Sequence, residues 1–317
     1  MILKDRIRWK VALSLSVWNI LYSLAVTTLA YFLHNWWNDQ VAWAVPLALI
    51  GTFGTALAIL LGFRNSAAYD RWWEARKIWG GIVNASRTWG RQVLTLVSHY
   101  HLPEDISGED LRGIHQELIY KNLAWINALR LQLRGQVEPE IWKKEVGAFL
   151  DPEEFRWLLS RRNRATQLVR NLAERLRDLF EKKYTEDFRH MQMDNTLSKF
   201  YDLQGMAERI KSTPMVKPYH AWTRLFLNIF IFFLPFGLVP VFDASGSEWL
   251  VFPLTMIISW VFFVIYMFGV ILAEPFENSE NDTAMTAICN TIEIDLKDML
   301  DEADLPEKTK PVDGILM

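Results

Sequence analysis

Cysteine is almost absent from this sequence: Cys289 is the only one among 317 residues. A single thiol can form neither an internal disulfide bond nor a cysteine-ligated metal cluster, so both are excluded. Cys289 lies among small and apolar residues of a predicted helix, which favours a buried position in a core.

The chain also lacks the residue patterns of common enzymes. Its six histidines form no His-x-x-His or His-Glu-x-x-His pair. A glycine-rich phosphate loop, a nucleophile elbow and a dinucleotide fingerprint are missing as well. His99 and His101 are predicted to be exposed near a helix end. We therefore predict a protein that is not an enzyme, with no catalytic residue, no cofactor and no bound metal.

Charge is missing from four long stretches, and this feature dominates the sequence. The uncharged stretches are residues 11–33, 41–63, 225–242 and 249–272. A membrane helix needs ~20 mainly apolar residues, so each stretch is long enough or nearly so. Many of the 15 Trp residues lie near the ends of these stretches, where indole rings favour the lipid headgroups. The sequence predicts four membrane helices in two hairpins, the first of which is too long for a cleavable signal peptide.

Lysine and arginine are distributed unevenly around the predicted spans. The first ten residues hold four of these residues and residues 64–77 hold four more, whereas the two short hairpin loops hold none. Positive charge is enriched on the cytoplasmic side of membranes. Both termini and the long middle segment are therefore predicted to be cytoplasmic.

Composition divides the chain into four segments. Residues 1–63 form a short cytosolic segment and the first hairpin, and residues 64–224 a cytosolic region with apolar residues at helical spacing. Residues 225–272 form the second hairpin, and residues 273–317 an acidic cytosolic tail. The middle region is basic, so it and the tail either attract each other or form two solvated surfaces. Both alternatives remain open.

Helix signals recur in the middle region, and no alternating strand pattern of useful length appears. Ser107 precedes an acidic turn, Asp151 precedes Pro152 at a predicted helix start, and Pro214 follows a long helical run. The sequence thus predicts an all-α membrane protein.

The second uncharged stretch continues directly into the charged segment RNSAAYDRWWEARK, which contains neither Pro nor Gly. One continuous helix that leaves the membrane is therefore predicted.

Two neighbouring stripes of side chains run along the apolar half of this predicted helix, about 100° apart around its axis. The small-residue stripe consists of Gly54, Ala58 and Gly62. The second stripe consists of Thr55, Ile59 and Phe63. Both could be ordinary packing surfaces. Alternatively, the small stripe packs beside a neighbouring helix while the second narrows a pore.

Two segments resemble the bacterial branch of the bestrophin family: LGFRNSAAYDRWWEARKIWG, residues 61–80, and AEPFENSENDTAMTAICNTIEIDL, residues 273–296. The resemblance implies a homopentameric ring with one axial pore, four membrane helices per subunit and a large helical cytosolic part. It also implies a bacterial inner-membrane location and a pore neck of Thr55, Ile59 and Phe63. Thr55 departs from the larger apolar residue that the family usually carries at this position.

The resemblance implies passive conduction of monovalent ions, but leaves chloride and cation selectivity unresolved. A second constriction is expected in the cytosolic part between about residues 189 and 216. Arg189 or Lys211 near it would favour anions, whereas Asp187 or Asp194 would favour cations. The expected partners are further copies of this chain, monovalent ions and the lipid bilayer. Nucleic acid is not expected, because the basic run at residues 161–164 has no interleaved aromatic residues.

An acidic cluster in the tail could in principle bind a cation through its carboxylate oxygens. The cluster consists of Glu274, Glu277, Glu280 and Asp282. In animal bestrophins, an acidic run at this place helps to build a calcium clasp, but here three polar residues interrupt the acids. We predict no calcium switch, and a structural role for Asp282 as the cap of a helix that begins at Thr283.

A different class of function stays open, namely a membrane-anchored oligomeric scaffold or sensor whose cytosolic region binds a partner protein. A secondary transporter is less favoured, because the sequence shows no internal repeat and no ionisable residue inside a predicted span.

Overall fold

The chain is helical throughout the part that the structure describes. The structure is a computed structural model and describes residues 9–37, 44–98, 108–215, 217–312 and 314–316. Its α-helices are α1 (Trp9–Trp37), α2 (Leu47–Leu96), α3 (Gly108–Leu133), α4 (Pro139–Glu145), α5 (Pro152–Leu159), α6 (Arg164–Glu181), α7 (Asp187–Ser212), α8 (Lys217–Asp243), α9 (Val251–Leu272) and α10 (Met285–Met299). These residue ranges contain no β-strand beyond one isolated bridge, so the predicted all-α class is confirmed.

Four helices are long and apolar enough to cross a membrane. They lie at Ser14–Trp36, Leu47–Leu96, Pro218–Asp243 and Glu248–Leu272. The four predicted membrane helices are thereby confirmed. α8 begins at Lys217, eight residues before the apolar run at residue 225, because polar residues continue the same helix beyond the segment that hydropathy detects.

α2 is the longest helix, with 50 residues from Leu47 to Leu96. It continues without interruption from the apolar segment into the charged one, as predicted. The helix contributes to both compact units into which the described residues divide. We call residues 9–72 with 214–274 the membrane unit, and residues 73–213 with those from 275 onward the tryptophan-core unit.

In the membrane unit, α1 packs against α8 and α9. Small polar side chains connect these helices: the hydroxyl groups of Ser23 and Ser259 lie 3.2 Å apart, and the Trp260 indole N–H donates to Ser16 Oγ at 3.1 Å. Lipid tails offer no hydrogen-bond partner, so polar side chains between membrane helices bond to each other. These contacts fix how α1 lies against α9.

The tryptophan-core unit is built around stacked aromatic rings. Trp125 of α3 stacks on Phe200 of α7 with ring centroids 4.4 Å apart, and Trp89 of α2 meets the same Phe200 ring edge-on at 6.0 Å. All three are fully buried, and each such side chain stabilises the fold by about 1.5–3 kcal/mol. Cys289 of α10 is also buried, as predicted, and burial raises the pKa of its thiol to about 11.

Two of the predicted helix ends are confirmed. Asp151 precedes α5, and its side chain accepts a hydrogen bond from the backbone N–H of Glu153 at 2.8 Å. α7 ends at Ser212, just before Pro214. Ser107, His99 and His101 lie outside the described residues.

The predicted cap at Asp282 is wrong. α10 begins at Met285, and its N-cap residue is Ala284, which makes no side-chain cap. The Asp282 carboxylate instead accepts hydrogen bonds from the backbone N–H and the hydroxyl of Ser279. It therefore closes a turn before the helix, because Ser279 competes with the more distant helix amides for its oxygen atoms.

The basic middle region and the acidic tail attract each other inside the tryptophan-core unit. Arg87 of α2 donates two hydrogen bonds to Asp295 of α10, at 2.8 and 2.7 Å. Lys211 of α7 forms an ion pair with Glu277. Of the two alternatives left open by the sequence, attraction within one subunit is thus confirmed.

Candidate functional site

The apolar half of α2 has one buried face and one uncovered face. Ile50, Leu57 and Leu61 are buried against the other helices of the membrane unit. Ile59 and Phe63 lie on the other face, with exposed fractions of 55% and 71%. Among the described residues of the subunit, none covers these two side chains.

Thr55 lies one turn before Ile59 on the uncovered face and is also exposed. Its hydroxyl donates to the backbone carbonyl of Gly51 at 2.9 Å. The hydroxyl hydrogen is therefore used inside the helix, and the residue presents a methyl group and an acceptor oxygen outward. Successive members of the stripe are ~6 Å apart along the helix axis.

The small-residue stripe divides into two parts. Gly54 is buried against α8, where a Cβ atom would lie only 2.8 Å from the Phe230 ring. Ala58 and Gly62 are exposed, and no atom would lie within 4 Å of a Cβ at Gly62. Gly54 thus packs inside the subunit, whereas Ala58 and Gly62 lie on the exposed surface, where a neighbouring helix could approach closely.

Directly after Phe63, the Arg64 guanidinium is buried between α8 and α9, with 3% of the residue exposed. Its Nη2 lies 2.8 Å from His220 Nδ1, and its central carbon, Cζ, lies 4.6 Å from the centroid of the Tyr266 ring. The other ring nitrogen of His220, Nε2, lies 3.0 Å from the Tyr266 hydroxyl. Because arginine can only donate, His220 Nδ1 is the acceptor and Nε2 carries the proton.

This network was not found by sequence reasoning. His220 and the Tyr266 carbonyl, which accepts from Arg64 at 3.5 Å, are 156 and 202 residues away from Arg64 in the chain. The only local signal is an arginine directly after a long uncharged run. Among the described residues, no carboxylate lies within salt-bridge distance of Arg64. The network holds α2 in place where the uncovered apolar face ends.

The first turn of α7 exposes a second apolar surface, in the tryptophan-core unit. Phe188 is 80% exposed and Met191 is 57% exposed. Phe188 was not named from the sequence, because its exposure becomes visible only when the buried face of α7 is known. It lies one residue before the range in which a second constriction was expected.

The charged residues predicted to influence ion selectivity differ in whether they have an oppositely charged partner. Arg189 lies 3.9 Å from Glu186, and Lys211 is paired with Glu277. Asp187 and Asp194 are exposed, and neither has a basic partner among the described residues. Both bases thus lie close to a glutamate, whereas the two acids do not lie close to a base.

Most carboxylates of the acidic tail cluster already bond to neighbouring side chains. Glu274 lies 3.9 Å from Arg71 in the membrane unit, while Glu277 and Asp282 bond to Lys211 and Ser279 in the tryptophan-core unit. In the described ranges, no group of three His, Cys, Asp or Glu residues is arranged to hold a metal ion.

Comparisons with known proteins agree with the geometry of the chain. A family model described as Bacterial/Fungal Bestrophin protein matches residues 3–298. The chain is 30% identical over 293 residues to the voltage-dependent anion channel-forming protein YneE of Escherichia coli K12, covering 92% of this chain and 88% of the relative. A protein of the same description from Ralstonia nicotianae is 32% identical over 263 residues, covering 83% and 79%.

Solved structures show the same fold. A crystal structure of a bacterial bestrophin homologue from Klebsiella pneumoniae has a TM-score of 0.79 and 26% identity, covering 91% of this chain and 99% of that one. A mutant of that homologue gives a TM-score of 0.80 and 27% identity, covering 92% and 98%.

Proposed function

This chain belongs to the bestrophin family, and from that premise we propose that it is an ion channel that conducts monovalent ions passively through an axial pore. Five subunits form a closed ring, and α2 of each subunit lines the neck with Thr55, Ile59 and Phe63. The observation that carries the proposal is the apolar face of α2, on which Ile59 and Phe63 are uncovered in the single subunit.

A narrow apolar neck can gate ion flow because an ion must lose much of its hydration shell to enter it. One subunit cannot enclose a water path with its own four helices, whereas copies of α2 around an axis can. Ala58 and Gly62 then leave space for the neighbouring subunit beside the neck. The relatives named as voltage-dependent anion channel-forming proteins support this function.

We place the second, cytosolic constriction at Phe188, supported by the 80% exposure of this large apolar side chain. Asp187 and Asp194 lie on the same helix and would raise the local concentration of cations, whereas the names of the relatives favour anions. In this proposal the channel lies in the bacterial inner membrane. Residues 64–224, the tail from residue 273 and both termini are cytoplasmic.

The function is tested by single-channel recording of the purified protein in lipid bilayers. Phe63→Ala and Ile59→Ala widen the neck, so each is expected to raise the single-channel current. Phe53→Ala is the matched control, because Phe53 lies on the same helix about 120° away from Ile59 and packs against Phe230. An unchanged current in both neck variants would show that these residues do not line the pore.

The scaffold function gives a different result in the same experiment, namely no ion flux in liposomes for the wild type or for any variant. For a conducting channel, the reversal potential under a salt gradient gives the sign of the permeant ion, since anion and cation permeability produce opposite voltages.

A further inference from the structure

Two arginines of α3 converge on the start of α10 in the tryptophan-core unit. Arg130 and Arg134 are one helical turn apart, and both donate to the Thr286 hydroxyl oxygen, through Nη1 at 3.3 and 2.7 Å respectively. Like charges at this separation repel each other, so the arrangement needs a compensating group.

The two guanidinium groups have more donors than the described residues have acceptors. Arg130 is 4% exposed, and its Nη2 donates to Asn127 and Glu145 at 3.0 and 2.7 Å. Its Nε has no partner. Arg134 is half-buried, and both its Nε and its Nη2 are buried without a partner. A buried N–H group without an acceptor destabilises a fold, so these donors need an acceptor such as water or an anion.

The start of α10 adds further donors. Its first turn contains no acidic residue, and its N-cap residue, Ala284, makes no side-chain cap. Thr283 is 1% exposed, and its hydroxyl has no partner. In the described part of the chain, the backbone N–H groups of Thr286 and Ala287 also donate to no backbone carbonyl. The positive end of the helix dipole therefore faces the same place as the two arginines.

The nearby carboxylates do not neutralise this cluster completely. Glu145 is engaged by Arg130, and both oxygen atoms of Asp282 bond to Ser279. The Cys289 thiol, one turn further along α10, stays neutral because burial raises its pKa to about 11. Burial, and then the charge of Arg130, lower the pKa of the Arg134 guanidinium, and the Asp282 carboxylate offsets part of this effect.

We propose that Arg130, Arg134 and the first turn of α10 form a binding site for a halide ion, with Thr283 as a further donor. The unpartnered groups at the site are Arg130 Nε, Arg134 Nε and Nη2, and the Thr283 hydroxyl, and all of them can donate hydrogen bonds, so the ligand must be an acceptor. One guanidinium, that of Arg134, has no ion-pair partner among the described residues, and a single negative charge matches it. The bound ion connects α3 to α10 and does not depend on the channel function.

The experiment is a thermal-unfolding titration of the full-length protein. Chloride is first replaced by gluconate, and sodium bromide is then added at constant ionic strength. The wild type is expected to show a saturable rise in Tm. Arg134→Gln is expected to weaken the apparent affinity by at least about tenfold, which corresponds to the loss of one charge-assisted hydrogen bond. Arg170→Gln is the control, because Arg170 is exposed on α6 and pairs with Glu174, so its halide response should equal that of the wild type.

A second measurement does not depend on how well the variants fold. Anomalous diffraction from wild-type crystals soaked in bromide should give a peak beside the unpartnered Nε and Nη2 atoms of Arg134, and Thr283→Val should weaken that peak. The proposal is overturned by a titration without saturation, by an equal response of Arg134→Gln and the wild type, or by a carboxylate of another subunit occupying the position.

Discussion

A buried charged side chain in this protein can be held by uncharged partners. Arg64 is the clearest case, because a cation at the end of a membrane helix bonds to His220 and lies over the Tyr266 ring instead of pairing with an acid. A stack of this kind over an aromatic face contributes about 0.5–2 kcal/mol. Removal of one partner would leave a buried charge without compensation.

His115 of α3 should make the stability of the tryptophan-core unit depend on pH. Burial lowers the pKa of its imidazole below the ordinary value of 6.5, and the hydrogen bond from Nε2 to the Val97 carbonyl offsets only part of this effect. Below pH 6.5 the unfolded chain therefore binds a proton that the folded chain resists. Stability is expected to be complete above pH 6.5 and to fall as the pH decreases through this value.

The measurement compares Tm at pH 7.5 and pH 5.5 for the wild type and for His115→Gln, whose amide can still donate to Val97. The variant should lose part of the difference between the two pH values. All other titrating groups are shared by the two proteins, so equal pH dependence would contradict this role of His115.

The two faces of the apolar half of α2 differ in what they contact. Its buried face packs inside the subunit at Gly54, Leu57 and Leu61, while Ile59 and Phe63 remain uncovered. Further along, Gly90 allows close packing with α10, since a Cβ atom there would lie 2.6 Å from Leu296. A helix this long keeps its position because close contacts recur along it.

The two glycines of the small-residue stripe should respond differently to the same substitution. Gly54→Ala places a methyl group 2.8 Å from the Phe230 ring, so it should destabilise the subunit by about 1–3 kcal/mol. Gly62→Ala meets no atom within 4 Å in the subunit and should leave its stability unchanged while weakening subunit association. Thermal unfolding and the oligomeric fraction of each variant in detergent test this, and equal effects on both quantities would refute the division of the stripe.

At the scale of the whole molecule, the exposed face of α2 and the exposed Phe188 of α7 have no cover among the described residues of one subunit. In the proposed closed ring, each copy presents the same surfaces, so that Ile59 and Phe63 face the axis while Ala58 and Gly62 face the neighbouring subunit. The proposed pore is thus a property of the ring alone.

Native mass spectrometry of the protein in lipid nanodiscs tests the assembly. The expected mass is that of five chains, and Phe63→Ala should keep this mass because it widens the neck without touching Ala58 or Gly62. A monomeric protein in nanodiscs would refute both the ring and the proposed channel.

The sequence alone determined the all-α class, the four membrane helices, the continuity of α2 and the cap at Asp151. It could do so because each of these depends on residues that are close together in the chain. A membrane span depends on about twenty contiguous side chains, and a cap on the next three residues. The neck residues Thr55, Ile59 and Phe63 stay a prediction, since a pore would need copies of α2 from several subunits.

Only the tertiary structure decided where long-range contacts form. It joined Arg64 to His220 and Arg130 to Thr286, pairs that are each 156 residues apart. It also showed that Gly54 packs inside the subunit and Gly62 does not, although both belong to the same small-residue stripe. In addition, the Asp282 side chain bonds to Ser279 instead of capping a helix. The physical reason is that packing selects among several partners that local chemistry allows equally, and the sequence pattern does not show which partner the fold brings near.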